Sequence, residues 1–237
     1  MRQICARATL DETVVRKLAS QSEAVANSGD PQGEAEARYK AARRSAWFRP
    51  ISENLARLSG IGQRCMYCGG SESTQVEHYR PKATYPAMAF AWENFLWVCG
   101  ACNQFKGIGF EERLPPINPI DDLVWNYFFI DEFGNLCAKW DPITADLDQR
   151  ATRTIELLSL DRQALQESRF ARLIDLRAKI ADTVALFQQG LLVEMDLEAR
   201  MLEWFEQPFQ PDVADYFFDG PGRSEDPFKQ FFALAGL

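Results

Sequence analysis

The chain has 237 residues, 46% of them hydrophobic and 25% charged, with a formal net charge of -8. That is the composition of a folded chain with a well-buried core, and the excess of acid argues against a protein that coats nucleic acid through bulk electrostatics. No apolar run approaches the roughly 20 residues of a membrane span, and no signal-peptide pattern opens the sequence, so the expectation is a cytoplasmic protein that engages no membrane.

The first elements read as helices. "TLDETVVRKLASQSEAVANSG" carries apolar residues at helical spacing behind Thr9 or Asp11 as a cap. "GEAEARYKAARRSAWF" and "PISENLARLSG" read as two more, the latter opened by Pro50 and closed by Gly60. Together they make an N-terminal helical region, residues 1–60, that turns basic toward its end. From Arg38 to Arg64 there are seven basic residues against one acid, Glu53.

From about residue 61 to residue 113 the pattern changes, and glycine, cysteine and aromatic residues replace helical periodicity. Four of the six cysteines form two Cys-x-x-Cys pairs, "CMYC" (Cys65, Cys68) and "CGAC" (Cys99, Cys102), while Cys5 and Cys137 stand alone. In a chain with no secretion signal this spacing reads as one tetrahedral Zn2+ held by four thiolates. Four thiolates close the coordination sphere, so the zinc is structural. A redox role for the pairs would need an adjacent βαβ pattern, which the sequence lacks.

The remainder, residues 114–237, opens with "LVWNYFFIDEFGNLCAKW", a β-hairpin around "DEFGN". Helices return in "ADLDQRATRTIELLSL", then in a long segment behind Asp161 as a cap, then in "LVEMDLEARMLEWFEQ". The tail, with Pro208, Pro211, Pro221 and Pro227, reads as loop with short helices. From Gly190 onward there are ten acids and three basic residues. That acidity should repel duplex nucleic acid and leave delivery of substrate to a partner, and the aromatic-rich "WFEQPFQPDVADYFFDGPG" is a candidate docking surface or packs on its own helices. The expected fold class is mainly α, with a small zinc-held module inserted near the middle and a short β-hairpin.

The chemistry sits between and just after the cysteine pairs. Zinc at Cys65, Cys68, Cys99 and Cys102 would hold a short hairpin against a short helix and bring Glu77 and His78 near Asn103 and Lys106. A carboxylate and an amide oxygen are hard donors of the kind Mg2+ or Mn2+ accepts. His78, the only histidine, is a neutral imidazole able to take a proton from water.

The order Cys-x-x-Cys, Glu77-His78, "WENFLWVC", Cys-x-x-Cys-Asn and Lys-Gly is similar to the HNH nucleases, whose ββα-metal motif is often braced by such a zinc. The resemblance implies His78 as general base and Glu77 and Asn103 as ligands of a catalytic Mg2+ or Mn2+. It implies Asn94 as the buttress behind the base and Lys106 near a phosphate. The pair Arg80 and Lys82, around Pro81, suits contact with the nucleic-acid backbone. "VEHYRPKATYP", "WENFLWVCGACNQFKG", "LPPINPIDD", the "DEFGN" hairpin and "ATRTIELLSLDRQALQESR" resemble the PtuB-type HNH proteins of Septu and retron-associated antiphage systems. That implies a defence endonuclease acting on DNA, or RNA such as tRNA, beside a PtuA-type ABC/SMC-like ATPase. The alternative is a non-catalytic zinc-binding adaptor that presents an interaction surface.

Overall fold

The structure, a computed structural model, describes all residues except 2, 5, 6, 71, 72, 74, 206–210, 219 and 237. It is mainly helical, with three small antiparallel strand pairs. Helix α1 (Glu12–Ala26) starts where the Asp11 carboxylate accepts from the Thr13 amide, and Val14, Leu18 and Val25 form its buried stripe. Helix α2 (Pro31–Ala42) is capped by Asp30, with Pro31 in the first turn, and buries Ala35, Tyr39 and Ala42. Helix α3 (Arg49–Leu58) buries Ile51, Leu55 and Ala56 and ends before Gly60, whose φ of 80° only glycine adopts freely.

Strands β1 (Gln75–His78) and β2 (Phe95–Val98) pair with His78 opposite Phe95 and Glu77 opposite Leu96, and α4 (Gly100–Lys106) follows β2 directly. After the four-residue helix α5 (Val124–Tyr127), β3 (Phe128–Ile130) and β4 (Leu136–Ala138) form the hairpin around "DEFGN". A second, shorter pair follows, β5 (Trp140–Asp141) with β6 (Asp146–Leu147). Helices α6 (Gln149–Leu158), α7 (Gln163–Gln188), α8 (Glu194–Phe205), α9 (Pro211–Phe218) and α10 (Phe228–Ala235) complete the chain.

Several boundaries differ from expectation: α2 starts at Pro31 and stops at Ala42, short of Phe48, and Val124–Tyr127 of the expected hairpin strand is helical. The helix expected from Ala145 begins at Gln149, because the Asp148 carboxylate accepts from the Ala151 amide and the residues before it pair as β6. Asp161 does not cap α7: the N-cap is Arg162, whose side chain makes no capping bond there. Cys5, expected to stand alone, lies outside the described residues. No helix among the described residues is long and apolar enough to cross a membrane.

The C-terminal helices pack inward. Arg169 of α7 is fully buried, donating from Nε to Asp212 Oδ2 at 2.9 Å and from Nη1 to the Leu160 carbonyl at 3.0 Å. Asp215 accepts from the Trp125 indole at 2.6 Å. Two acids of the acidic tail are thus spent on internal contacts, and Trp204, Tyr216, Phe217 and Phe218 are buried rather than presented for docking. Residues 206–210 and 219 of that segment are outside the described residues.

The β3–β4 turn packs against α7 through Gly134, which has φ 80° and would set a Cβ 2.5 Å from the Phe170 amide nitrogen. Neither the dihedral nor the backbone contact can relax cheaply. Gly134→Ala should therefore destabilise the chain by about 2 kcal/mol, measured by urea unfolding.

Candidate active site

The Sγ atoms of Cys65, Cys68, Cys99 and Cys102 lie within 4.8 Å of one another, and all four residues are buried. The Cys68–Cys99 separation is 3.9 Å. A tetrahedral zinc with Zn–S near 2.3 Å requires S–S edges of about 3.8 Å, so the donor set and its spacing fit this ion. Local structure makes the cluster. Cys65–Cys68 is a turn closed by Gly69 N donating to Cys65 O at 2.8 Å. Cys99 is the N-cap of α4, its sulfur accepting from the Cys102 amide at 3.5 Å.

The thiols polarise one another. Hydrogen bonds from the other three cysteines hold Cys68 far below the ordinary thiol range. Hydrogen bonding, first to Cys102, lowers Cys99 to about 7. Burial raises Cys65, and its neighbours' hydrogen bonds raise Cys102. A bound dication removes such protons outright. Arg162, above the Phe105 ring at 5.6 Å, balances the negative charge from α7's N-cap. Burial lowers its pKa, but the Cys102 and Cys68 sulfurs more than offset this and leave it raised. Among the described residues these four cysteines could hold a metal such as zinc.

That clamp sets α4 against β1. Gln75, Glu77, His78 and Asn103 line one cavity of about 530 Å³, together with Arg43 and Lys82. Asn103 Nδ2 donates to Gln75 Oε1 at 2.8 Å, which orients the amide. Lys106 does not line the cavity. Its side chain is 0% exposed, and Nζ donates to Glu77 Oε1 at 2.8 Å and to the His78 carbonyl at 2.7 Å. Expected near a phosphate, it instead bolts α4 to β1 and occupies one of the two Glu77 oxygens. Burial lowers its pKa, with Glu77 acting in the opposite sense.

His78 is 4% exposed, with its ring 4.4 Å from that of Tyr39 and 5.2 Å from that of Phe95. Its Nε2 lies 3.0 Å from the Ala89 carbonyl. A carbonyl only accepts, so the proton sits on Nε2 and Nδ1 carries the lone pair. Burial, aided by Lys82 and Lys106, pushes the pKa down to about 3 against the pull of the Ala89 bond.

This lowered value links folding to pH. Between about 3 and the ordinary value near 6.5, the unfolded chain holds a proton on His78 that the folded chain does not, so the contribution present above 6.5 is lost as pH falls. Taking wild type from pH 7 to pH 5 should cost about 2 kcal/mol more stability than the same change costs His78→Gln, compared by urea titration.

The loop leaving His78 is tied down by Asn94, which is 2% exposed. Its Oδ1 accepts from the Arg80 amide at 2.7 Å, and its Nδ2 donates to the carbonyls of Arg80 and Met88, both at 2.9 Å. That same loop carries Ala89, so Asn94 sets the carbonyl that fixes the imidazole. Arg7 in turn secures the β2 end, donating to the carbonyls of Phe95 at 2.6 Å and Glu93 at 2.7 Å.

Of the two cations expected at a nucleic-acid backbone, Lys82 lines the cavity but pairs with Glu36 at 2.9 Å. Arg80 stands away from the cavity, over the rings of Tyr85 and Phe110 and 3.9 Å from Glu112. Sequence reasoning missed Tyr39, Arg43 and Gln75. Tyr39 and Arg43 come from α2 and its cap, about 35 residues from His78, and no local pattern joins them. Gln75 was within reach, since it shares a strand face with Glu77 at i, i+2.

No family model matches the chain. Over 122 residues, 49% of this chain, it is 32% identical to Septu protein PtuB of Bacillus thuringiensis. The match covers 44% of that protein's length, less than half of it. Across about half of its length, the chain is therefore related to Septu protein PtuB.

Proposed function

We propose that the chain is a metal-dependent HNH-type endonuclease that hydrolyses nucleic-acid phosphodiester bonds in antiphage defence, beside a PtuA-type ABC/SMC-like ATPase. The observation that carries this reading is the convergence of Glu77, His78 and Asn103 on one cavity next to the four-cysteine cluster. The nuclease unit is residues 61–113, and residues 1–60 and 114–237 are its helical flanks. The defence role and the ATPase partner rest on the relation to Septu protein PtuB.

Glu77 and Asn103 suit Mg2+ or Mn2+: both are oxygen donors, and the cavity has room for the waters such ions retain. A bound ion would neutralise charge that grows on the phosphate and the leaving oxygen. The protein's own part is to hold and to accept. Nδ1 of His78 takes the proton of the attacking water, with the tautomer set by Ala89. The low pKa keeps this nitrogen unprotonated across the neutral range. Lys106 holds the Glu77 carboxylate in place, and Gln75 holds the Asn103 amide.

The test is cleavage of plasmid, single-stranded DNA and tRNA with Mg2+ or Mn2+, with and without ATP and a PtuA-type ATPase. Cleavage that is lost on adding EDTA and in Glu77→Gln supports the reading, whereas full cleavage by Glu77→Gln overturns it. The rival, a zinc-held adaptor, draws on the Lys106–Glu77 pair, which already neutralises the carboxylate without a second metal. It predicts bound zinc, no cleavage under any of these conditions, and indifference to loss of Glu77, His78 and Asn103.

A further inference from the structure

The N-terminal helices supply one wall of the site cavity, and that wall continues past it. A second cavity, of about 470 Å³, is lined by Ser52, Glu53, Ala56, Arg57, Gln63 and Trp97. Ser52 and Trp97 also line the first, so the two form one groove running along α3 from Arg43 toward Arg57.

The cations along this groove are Arg43, Lys82 and Arg57, set against the acids Glu53 and Glu77. Arg43, at the C-cap of α2, is exposed and its guanidinium makes neither hydrogen bond nor ion pair among the described residues. Arg57 is exposed, and among the described residues its guanidinium bonds only Asn54 Oδ1, at 2.9 Å. Arg38 and Lys82, by contrast, are engaged with Glu34 and Glu36. Both acids are paired, Glu53 lying 3.4 Å from Arg49 and Glu77 2.8 Å from Lys106. Between the two arginines lies Trp97, 8% exposed, whose buried indole N–H has no partner among the described residues. Arginine and indole nitrogens donate and never accept. A ligand that engages both guanidinium groups is therefore rich in acceptors and negatively charged, as a chain of phosphates is.

We propose that the α2–α3 face is the nucleic-acid-binding face of this protein, with Arg43 and Arg57 each holding a backbone phosphate on opposite sides of Trp97. The proposal rests on the phosphodiesterase reading for its substrate class and adds to it a surface outside the 61–113 module. Arg43 and Arg57 belong to the basic run between Arg38 and Arg64, in a chain of net charge -8.

The test measures binding of the full-length His78→Ala chain, which holds substrate without cutting it, to a fluorescent single-stranded DNA and to the matching duplex over a range of salt. Each phosphate contact contributes about 0.9 to the salt slope on duplex and about 0.7 on single strand. Adding Arg43→Ala and Arg57→Ala should thus lower the slope by roughly 1.5. A control removing two exposed charges elsewhere, Lys17→Ala with Lys229→Ala, should leave it unchanged. The proposal is overturned if the arginine variant keeps the parent's slope, if the control loses as much, or if the parent binds neither probe at low salt. Its failure is separable from failure of the enzymatic reading. Cleavage lost in His78→Ala with an unaltered arginine slope retires the binding face alone, while full cleavage by His78→Ala retires the enzymatic reading.

Discussion

Replacing His78 with alanine should lower the cleavage rate by about 10²–10⁴-fold, the usual contribution of a positioned general base. No other imidazole can substitute, because His78 is the only histidine. The geometry strengthens the expectation: Nε2 is held by the Ala89 carbonyl and the ring lies between Tyr39 and Phe95, so only Nδ1 is left to face the cavity. The substitution also leaves the Ala89 carbonyl without its donor inside the protein, at a cost of about 1–3 kcal/mol. The assay therefore includes zinc content and the unfolding midpoint, so that lost chemistry is told apart from lost fold. His78→Gln, which keeps a donor, should recover stability but not rate. Wild-type cleavage by either folded variant would remove His78 from the chemistry.

Removing the four-cysteine metal should be more drastic still. Strands β1 and β2 have four residues each and α4 has seven, too little structure to stand alone in water. Zinc binding to small modules of this kind supplies on the order of 10–16 kcal/mol of apparent folding free energy. Cys102→Ser, or stripping with a strong chelator, should abolish hydrogen-exchange protection across residues 75–106 and cleavage with it. The damage should reach the C-terminal helices as well. The turn at Gly69 approaches Asp212 so closely that an added Cβ would lie 3.1 Å from Oδ1, and Asp212 is the partner of buried Arg169. Elemental analysis should find one zinc per chain before treatment. A stripped chain that keeps both protection and cleavage would show that the cysteines pack without needing a metal.

The elements legible in the sequence are those specified by short-range chemistry. Asp11 announces a helix start, Gly60 a helix end and "DEFGN" a turn, because each acts on its own backbone within a few residues. The metal cluster was legible for a related reason. Two Cys-x-x-Cys pairs each shape a local turn, and a tetrahedral ion needs little beyond their meeting. The small β5–β6 pair escaped because two-residue strands have no periodicity to detect, and α6 shifted because Asp148 rather than an earlier residue reaches the Ala151 amide.

The candidate site divides along the same line. That Glu77, His78 and Asn103 belong together follows from spacing around the cysteines, whereas a loop for Asn94 to secure is what the resemblance to the HNH nucleases implies. What those side chains touch is a matter of tertiary packing alone. Lys106 turns inward to Glu77 because α4 lies across β1, and burying an ammonium requires a carboxylate within reach. Arg80 leaves the cavity for two aromatic rings, while Arg43 enters it from a helix cap far away in sequence. The sequence by itself determined the four-cysteine cluster that could hold a metal, the lone histidine and most helix boundaries, since those depend on residue type and local spacing. Only the tertiary structure decided which cations face the cavity and which are consumed in holding it, because side-chain direction depends on what packs against each element.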